Sequence, residues 1–207
     1  MKFTCLTILH TCLQEEEFMV EIYLIRHAES IINGQKERVF CGQYDCLLTQ
    51  KGVKQAKVLS LINIDFDVAY ISDLTRAKET FYLSGLFASK VYYLKCLRER
   101  SLGDFEGKKV NIIFSDINYK EYWPEGEFRD FRFSFDQAAP NGESYSDVCS
   151  RLEPIVNKLK NFKNNEKILI ISHYHTIRCL LYLLDLVDIN SIFDKEIDNC
   201  EVIKLIV

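Results

Sequence analysis

The chain alternates between short apolar runs and longer stretches in which apolar residues recur every three or four positions. Five runs read as strands: residues 20–25, 67–71, 91–94, 167–171 and 201–207. They are rich in β-branched and aromatic side chains, and the first and fourth are apolar without interruption. A continuous apolar run suits a strand covered on both faces, as in a parallel sheet. Helical patterns lie between the runs. Thr49 can cap a helix reaching residue 63, with Val53, Ala56, Leu59 and Ile62 on one side. Ser72 or Asp73 can cap a second, reaching residue 87. Ser144 or Ser146 opens a third, in which Val148, Leu152, Ile155, Val156 and Leu159 recur at helical spacing, and Pro154 predicts a kink or a late start. Residues 176–186 read as a fourth, apolar enough to be buried. Strands alternating with helices predict an α/β fold, a three-layer α/β/α sandwich around a mostly parallel sheet.

Two stretches fit neither period. Residues 106–140 are rich in Phe, Tyr and Trp, with Lys108, Lys109, Lys120, Arg129 and Arg132 interleaved. They read as a cap-like insertion able to roof a pocket; the alternative is a helical hairpin that packs its aromatics into the core. Residues 1–18 read as an N-terminal extension before a domain spanning 19–207. Their apolar run is broken by Thr4, Thr7, His10 and Thr11, and it is too short and too polar to span a bilayer.

Bulk properties narrow the function. A chain of 207 residues can bury one large α/β core. The net charge is −4 with no block of Lys or Arg, so neither nucleic acid nor a membrane surface is expected as a partner. The eight cysteines are scattered without a CxxC pair, which predicts reduced thiols and a cytoplasmic location.

Candidate chemistry lies where the strands stop, because ligands of open α/β sheets bind beyond the carboxyl ends of the strands. The first strand is followed by Arg26 and His27, and the second by Ser72, Asp73 and Arg76. The third is followed by Arg98, Glu99 and Arg100, and the fourth by His173. Phosphoryl transfer needs such a set. Guanidinium forks match phosphate oxygens and stay charged. A neutral imidazole can attack phosphorus. A carboxyl whose pKa is raised in a partly desolvated site can protonate a poor leaving group. Each residue also has a plainer fate: Arg76 could pair with Asp73 or Glu79 along its helix, Glu99 could sit in a solvated charge cluster, and His173 could be a core histidine.

At this point the motifs resemble a known family. LIRHAES, SDLTRAKET, LRERSLGDFEGK, NGESYSDVCSR and IISHYHTIR, with RVFCGQYDCLLTQKGVKQA between the first two, are similar to the histidine phosphatase superfamily, in the phosphoglycerate mutase-like phosphatase branch. Their order and spacing hold from about residue 20 to the C-terminus. The resemblance implies that His27 is the nucleophile and that Arg26, Arg76 and His173 bind the transferring phosphoryl group. It implies Glu99 as proton donor, then as base for water. Asn33, Cys41, Gly42 and Tyr174 would touch phosphate or substrate, and no metal or cofactor is required. Four positions depart from the usual pattern: Ala28 replaces a glycine, Cys41 a threonine, and Tyr174-His175 a pair of glycines.

The expected function is a metal-independent phosphomonoesterase acting on a small phosphorylated metabolite through a phosphohistidine. The alternatives are a cofactor-dependent phosphoglycerate mutase and a phosphate-binding module without turnover. A metallohydrolase built on His173-x-His175 is a further alternative, for which no matching carboxylate or cysteine cluster is present.

Overall fold

In the computed structural model, residues 2–7, 20–122, 131–162 and 165–206 are described. Among them the strands are β1 (Phe3–Thr7), β2 (Glu21–Arg26), β3 (Asp65–Ser72), β4 (Phe87–Leu94), β5 (Lys167–Ser172) and β6 (Val202–Ile206). The α-helices are α1 (Gln50–Val58), α2 (Thr75–Ser84), α3 (Val110–Ser115), α4 (Tyr145–Lys160) and α5 (Tyr174–Leu183). The strands form one sheet in the order β1-β6-β2-β5-β3-β4. Neighbours among β2, β5, β3 and β4 are parallel, whereas β6 runs antiparallel to β2 and parallel to β1.

The expectation of five strands is corrected by β1, which lies in the segment read as an extension. Threonines broke its apolar run, but threonine is a favoured strand residue and an edge strand needs no continuous apolar face. Residues 8–19 lie outside the described residues.

Helix boundaries follow local chemistry. The Thr49 side chain accepts from the Gly52 amide at 2.9 Å and caps α1. The helix tightens to a 3₁₀ turn over Leu59–Ile62 and stops at Asn63, whose φ of 47° is left-handed. Neither Ser72 nor Asp73 caps α2: Ser72 ends β3, Asp73 binds Arg98, and Leu74 takes the cap position. Ser144 rather than Ser146 opens α4, with Ser144 and Asp147 bonding each other's backbone reciprocally. Pro154 sits inside α4 and neither delays nor ends it. The buried stripe of Leu152, Ile155, Val156 and Leu159 outweighs the one backbone bond that proline forfeits. Helix α5 begins at Tyr174, two residues earlier than the sequence pattern suggests.

Side chains alternate across the sheet to build two cores. Ile22 and Leu24 of β2 join α4 and α5 on one face, while Tyr23 and Ile25 join α1 and α2 on the other. This is the expected three-layer sandwich. Phe40, Leu102, Phe105, Ile113, Phe131 and Ala139 form a third, smaller cluster. The described aromatics of the insertion therefore divide: Tyr119, Tyr122 and Phe131 pack in this cluster, Phe135 packs against the core of α4 and α5, and Phe133 reaches the cavity described below. Residues 123–130, which include Arg129, lie outside the described residues.

Candidate active site

The register of the two central strands brings the histidines together. Arg26 of β2 pairs with Ser172 of β5, so His27 and His173 are the next residues along each strand. The His27 amide donates to the Ser172 carbonyl at 3.0 Å. The two imidazole centroids are 4.9 Å apart, with the rings tilted by 54°. They lie side by side, not across a gap.

Their protonation follows from their surroundings. Nδ1 of His27 lies 2.7 Å from the Ala28 carbonyl, which can only accept, so this nitrogen carries the proton and Nε2 keeps its lone pair. Burial, followed by the charges of Arg76 and Arg26, holds His27 well below its ordinary pKa near 6.5. Burial and Arg76 do the same to His173. Nε2 of His173 is 2.7 Å from Ser72 Oγ, while its Nδ1 is buried without a partner.

A cavity of about 470 Å³ opens at these strand ends. Of the residues the sequence singles out, Arg26, His27, Asn33, Cys41, Gly42, Arg76, Glu99 and Tyr174 all line it. His173 does not line it; it is completely buried beside His27.

The arginines are held by backbone carbonyls. Arg76 is buried on the first turn of α2 and donates to Gly42 O at 2.8 Å and Tyr44 O at 3.0 Å, leaving Nε without a partner. It therefore does not spend its charge on Asp73 or Glu79; Asp73 instead binds Arg98 at 2.6 and 2.8 Å. Arg26 donates to Ile197 O at 2.6 Å, and its Nε is likewise unpartnered. Buried N–H groups without partners are costly unless a ligand completes them.

Gly42 is needed where it stands. Its φ is +49°, and a Cβ there would come within 2.3 Å of Glu106 Oε1. That same oxygen accepts from the amides of Gln43 and Leu102, both at 2.8 Å. Glu106 of the GDFEGK stretch thus braces the loop whose carbonyls position Arg76.

Glu99 is almost fully buried, at 7 % exposure. It accepts from the Arg100 amide at 2.9 Å and from the His175 amide at 3.1 Å. Burial alone would raise its pKa, but the imidazoles of His175 and His173 and the Arg100 amide outweigh burial and hold it well below the usual carboxylate range. This corrects the expectation of a raised pKa: in the unliganded site Glu99 is a carboxylate.

The departures from the family pattern are accommodated without strain. Positive φ values among non-glycine described residues occur at Asn63, Asn141, Asn165, Asp185 and Cys200, not at Ala28, Tyr174 or His175. The Tyr174 ring lies between Arg26 and Arg178, with guanidinium carbons 5.0 and 4.2 Å from its centroid. Burial pushes its hydroxyl up to about 12, so it stays protonated. His173 and His175 diverge, one toward Ser72 and the other toward Glu99, which is not the geometry of a shared metal.

Several lining residues carry no strong sequence signal. Gln35, Arg38 and Glu196 come from loops without periodicity. Arg178 could have been found, since it lies one helical turn beyond Tyr174 and meets its hydroxyl at 2.5 Å.

Comparison with known proteins agrees with this geometry. The family model described as histidine phosphatase superfamily (branch 1) matches residues 22–207. A 2,3-bisphosphoglycerate-dependent phosphoglycerate mutase of Allorhizobium ampelinum is 33 % identical over 174 residues, covering 79 % of each chain. A protein of the same name from Bradyrhizobium sp. is 31 % identical over 189 residues, covering 85 % of this chain and 86 % of its own. Among solved structures, an α-ribazole phosphatase from Shigella flexneri superposes with a TM-score of 0.71 at 24 % identity, covering 86 % of both chains. A mycobacterial glucosyl-3-phosphoglycerate phosphatase superposes with a TM-score of 0.69 at 23 % identity, covering 88 % of this chain and 87 % of its own. A family match that begins on the strand bearing His27 and runs to the end of the chain leads to one assignment: this protein belongs to branch 1 of the histidine phosphatase superfamily.

Proposed function

We propose that the protein is a metal-independent phosphomonoesterase that hydrolyses a small phosphorylated metabolite through a phosphohistidine on His27. The observation that carries this reading is the neutral, oriented imidazole of His27 in a cavity walled by guanidinium groups. Nε2 attacks phosphorus, the N–P bond forms and the P–O bond to the leaving group breaks. Arg26 and Arg76 stabilise the charge on the equatorial oxygens with groups already in place, and His173 packs behind the His27 ring. Glu99 takes up a proton when the substrate's negative charge enters and delivers it to the leaving oxygen. Water then attacks the phosphohistidine, Glu99 accepts its proton, and the electron pair returns to Nε2. Arg132 and Phe133 on the cavity wall suit a substrate with an acidic or aromatic part beyond the phosphate.

The test is acid-labile phosphate labelling combined with a screen of phosphorylated metabolites in the presence of a chelator. The wild type is expected to label and to release inorganic phosphate, and His27→Ala to do neither. A protein that binds vanadate but never labels would overturn the reading in favour of a binding module. The sequence relatives favour a second reading, a phosphoglycerate mutase. Incubation with 3-phosphoglycerate and trace 2,3-bisphosphoglycerate separates the two. Rapid phosphate release without isomer supports the phosphatase, and isomer formation without release supports the mutase.

A further inference from the structure

His175 stands where the scheme above assigns no role, yet it touches the group on which the proton step depends. It is the second residue of α5, and its amide donates to both Glu99 oxygens at 3.1 and 3.4 Å. Its imidazole Nδ1 lies 3.4 Å from the nearer of the same oxygens. That nitrogen is buried and has no hydrogen-bond partner. The ring is held edge-on by Tyr145 and Tyr174, with centroids 5.6 and 5.3 Å away at 77° and 87°. An imidazole packed against two aromatic rings, with one nitrogen 3.4 Å from a buried carboxylate, is close enough to be coupled to it and is not a solvated surface histidine.

The surroundings define when this pair takes a proton. Arg100 and Arg178 are the cations nearest His175, and Arg26 faces Glu99 from β2. From α4, Arg151 contacts the Glu99 carbonyl and Tyr145 presents its ring; His173 and Tyr174 flank from the chain leading into α5. Burial and the nearby guanidiniums keep His175 below its ordinary pKa although Glu99 opposes them. Near neutral pH the empty site therefore holds a carboxylate beside a neutral imidazole. A phosphate ester arriving with nearly two negative charges reverses that balance.

We propose that His175 is a positioning residue that shares one exchangeable proton with Glu99, so that the two titrate as a single unit which loads when a phosphate group enters. This rests on the phosphohydrolase reading above. In the first half-reaction the Glu99 proton goes to the leaving alkoxide as the P–O bond breaks, giving the free alcohol. Where the shared proton rests on His175, it crosses the 3.4 Å separation to Glu99 before the P–O bond breaks, and the imidazole is left neutral. In the second half-reaction the proton from the attacking water returns to the pair as the N–P bond breaks.

The experiment compares wild type, His175→Gln and His175→Asn on an alkyl phosphate, whose leaving group needs a proton, and on p-nitrophenyl phosphate, whose leaving group does not. For both variants kcat/KM on the alkyl ester is expected to fall roughly tenfold or more, and the alkaline limb of its pH profile to move acidward by about one unit. On p-nitrophenyl phosphate kcat/KM, which reports the first half-reaction alone, is expected to stay within about threefold. Proton uptake on binding inorganic phosphate, read by calorimetry in buffers of different ionisation enthalpy, should be present in the wild type and reduced in both variants. Equal loss on both substrates with an unshifted profile, or unchanged proton uptake, would overturn the proposal. A wild type that hydrolyses neither substrate would count against the phosphatase reading alone, because proton uptake on phosphate binding still tests the pair.

Discussion

The rim around His27 and the aromatic wall opposite it are built by different means. The rim is fixed by backbone register: pairing of Arg26 with Ser172 places the two imidazoles side by side. Helix α2 is tied to it where the Ala28 amide donates to Thr80 Oγ1 at 2.9 Å. The wall is fixed by side-chain packing. Phe105 meets Phe131 at 5.7 Å and Tyr119 at 5.0 Å within a core separate from the sheet. A one-residue slip of β2 against β5 would turn Arg26 to the other face and part His27 from His173, whereas a packed cluster can be rebuilt residue by residue. The rim is thus suited to fixed chemistry and the wall to adjustable selectivity.

The largest effect should come from the rim. Arg76→Ala is expected to lower kcat/KM by about 10³-fold or more on every phosphate ester, since it removes a fixed cation and leaves the Gly42 and Tyr44 carbonyls without their donor. Steady-state kinetics on two unrelated substrates checks this. If the loss depended on the substrate, the division between rim and wall would fail. Next comes the wall's own core. Phe105→Ala should destabilise the fold by about 3–5 kcal/mol, read by denaturant unfolding. The folded fraction should still hydrolyse p-nitrophenyl phosphate within about threefold of wild type. Smaller again, Arg132→Ala or Phe133→Ala should raise KM for the preferred metabolite by about three- to tenfold while leaving phosphohistidine formation from p-nitrophenyl phosphate intact. A loss of labelling in either variant would assign the wall a catalytic part.

The mildest effect near neutrality is on stability. Both buried histidines bind protons more weakly folded than unfolded, where the ordinary value is near 6.5. The stability they contribute is complete above that value and is lost as pH falls through it. Thermal scans should be flat from pH 8 to about 6.5 and then decline, with a slope approaching about 1.4 kcal/mol per pH unit for each histidine. His173→Gln should make the decline shallower.

Much of the rim was legible in the sequence, because each apolar run stops abruptly and the polar residues after it belong to the strand ends. Arg26, His27, Arg76 and Glu99 all reach the cavity for that reason. The charge state of Glu99 was not legible. Burial predicts a raised pKa, and only the folded chain supplies the His175 amide and imidazole that reverse it. The caps of α2 were misassigned since Ser72 and Asp73 have the right chemistry but are claimed by His173 and Arg98. Strand β1 was missed because its pairing with β6 is a partnership between the two ends of the chain, which no local pattern records. Loop residues such as Glu196 owe their place to the path of the chain and not to any period.

The position of β2 in the sheet has a temporal consequence. Glu21 hydrogen-bonds across to the strand of Lys167 on one side and to that of Ile206 on the other. During synthesis β2 therefore emerges long before β5 and β6, the two strands that flank it. Contacts so distant along the chain form slowly. A fragment without β5 leaves the His27 amide without its Ser172 acceptor, so the paired imidazoles form only once β5 has docked on β2.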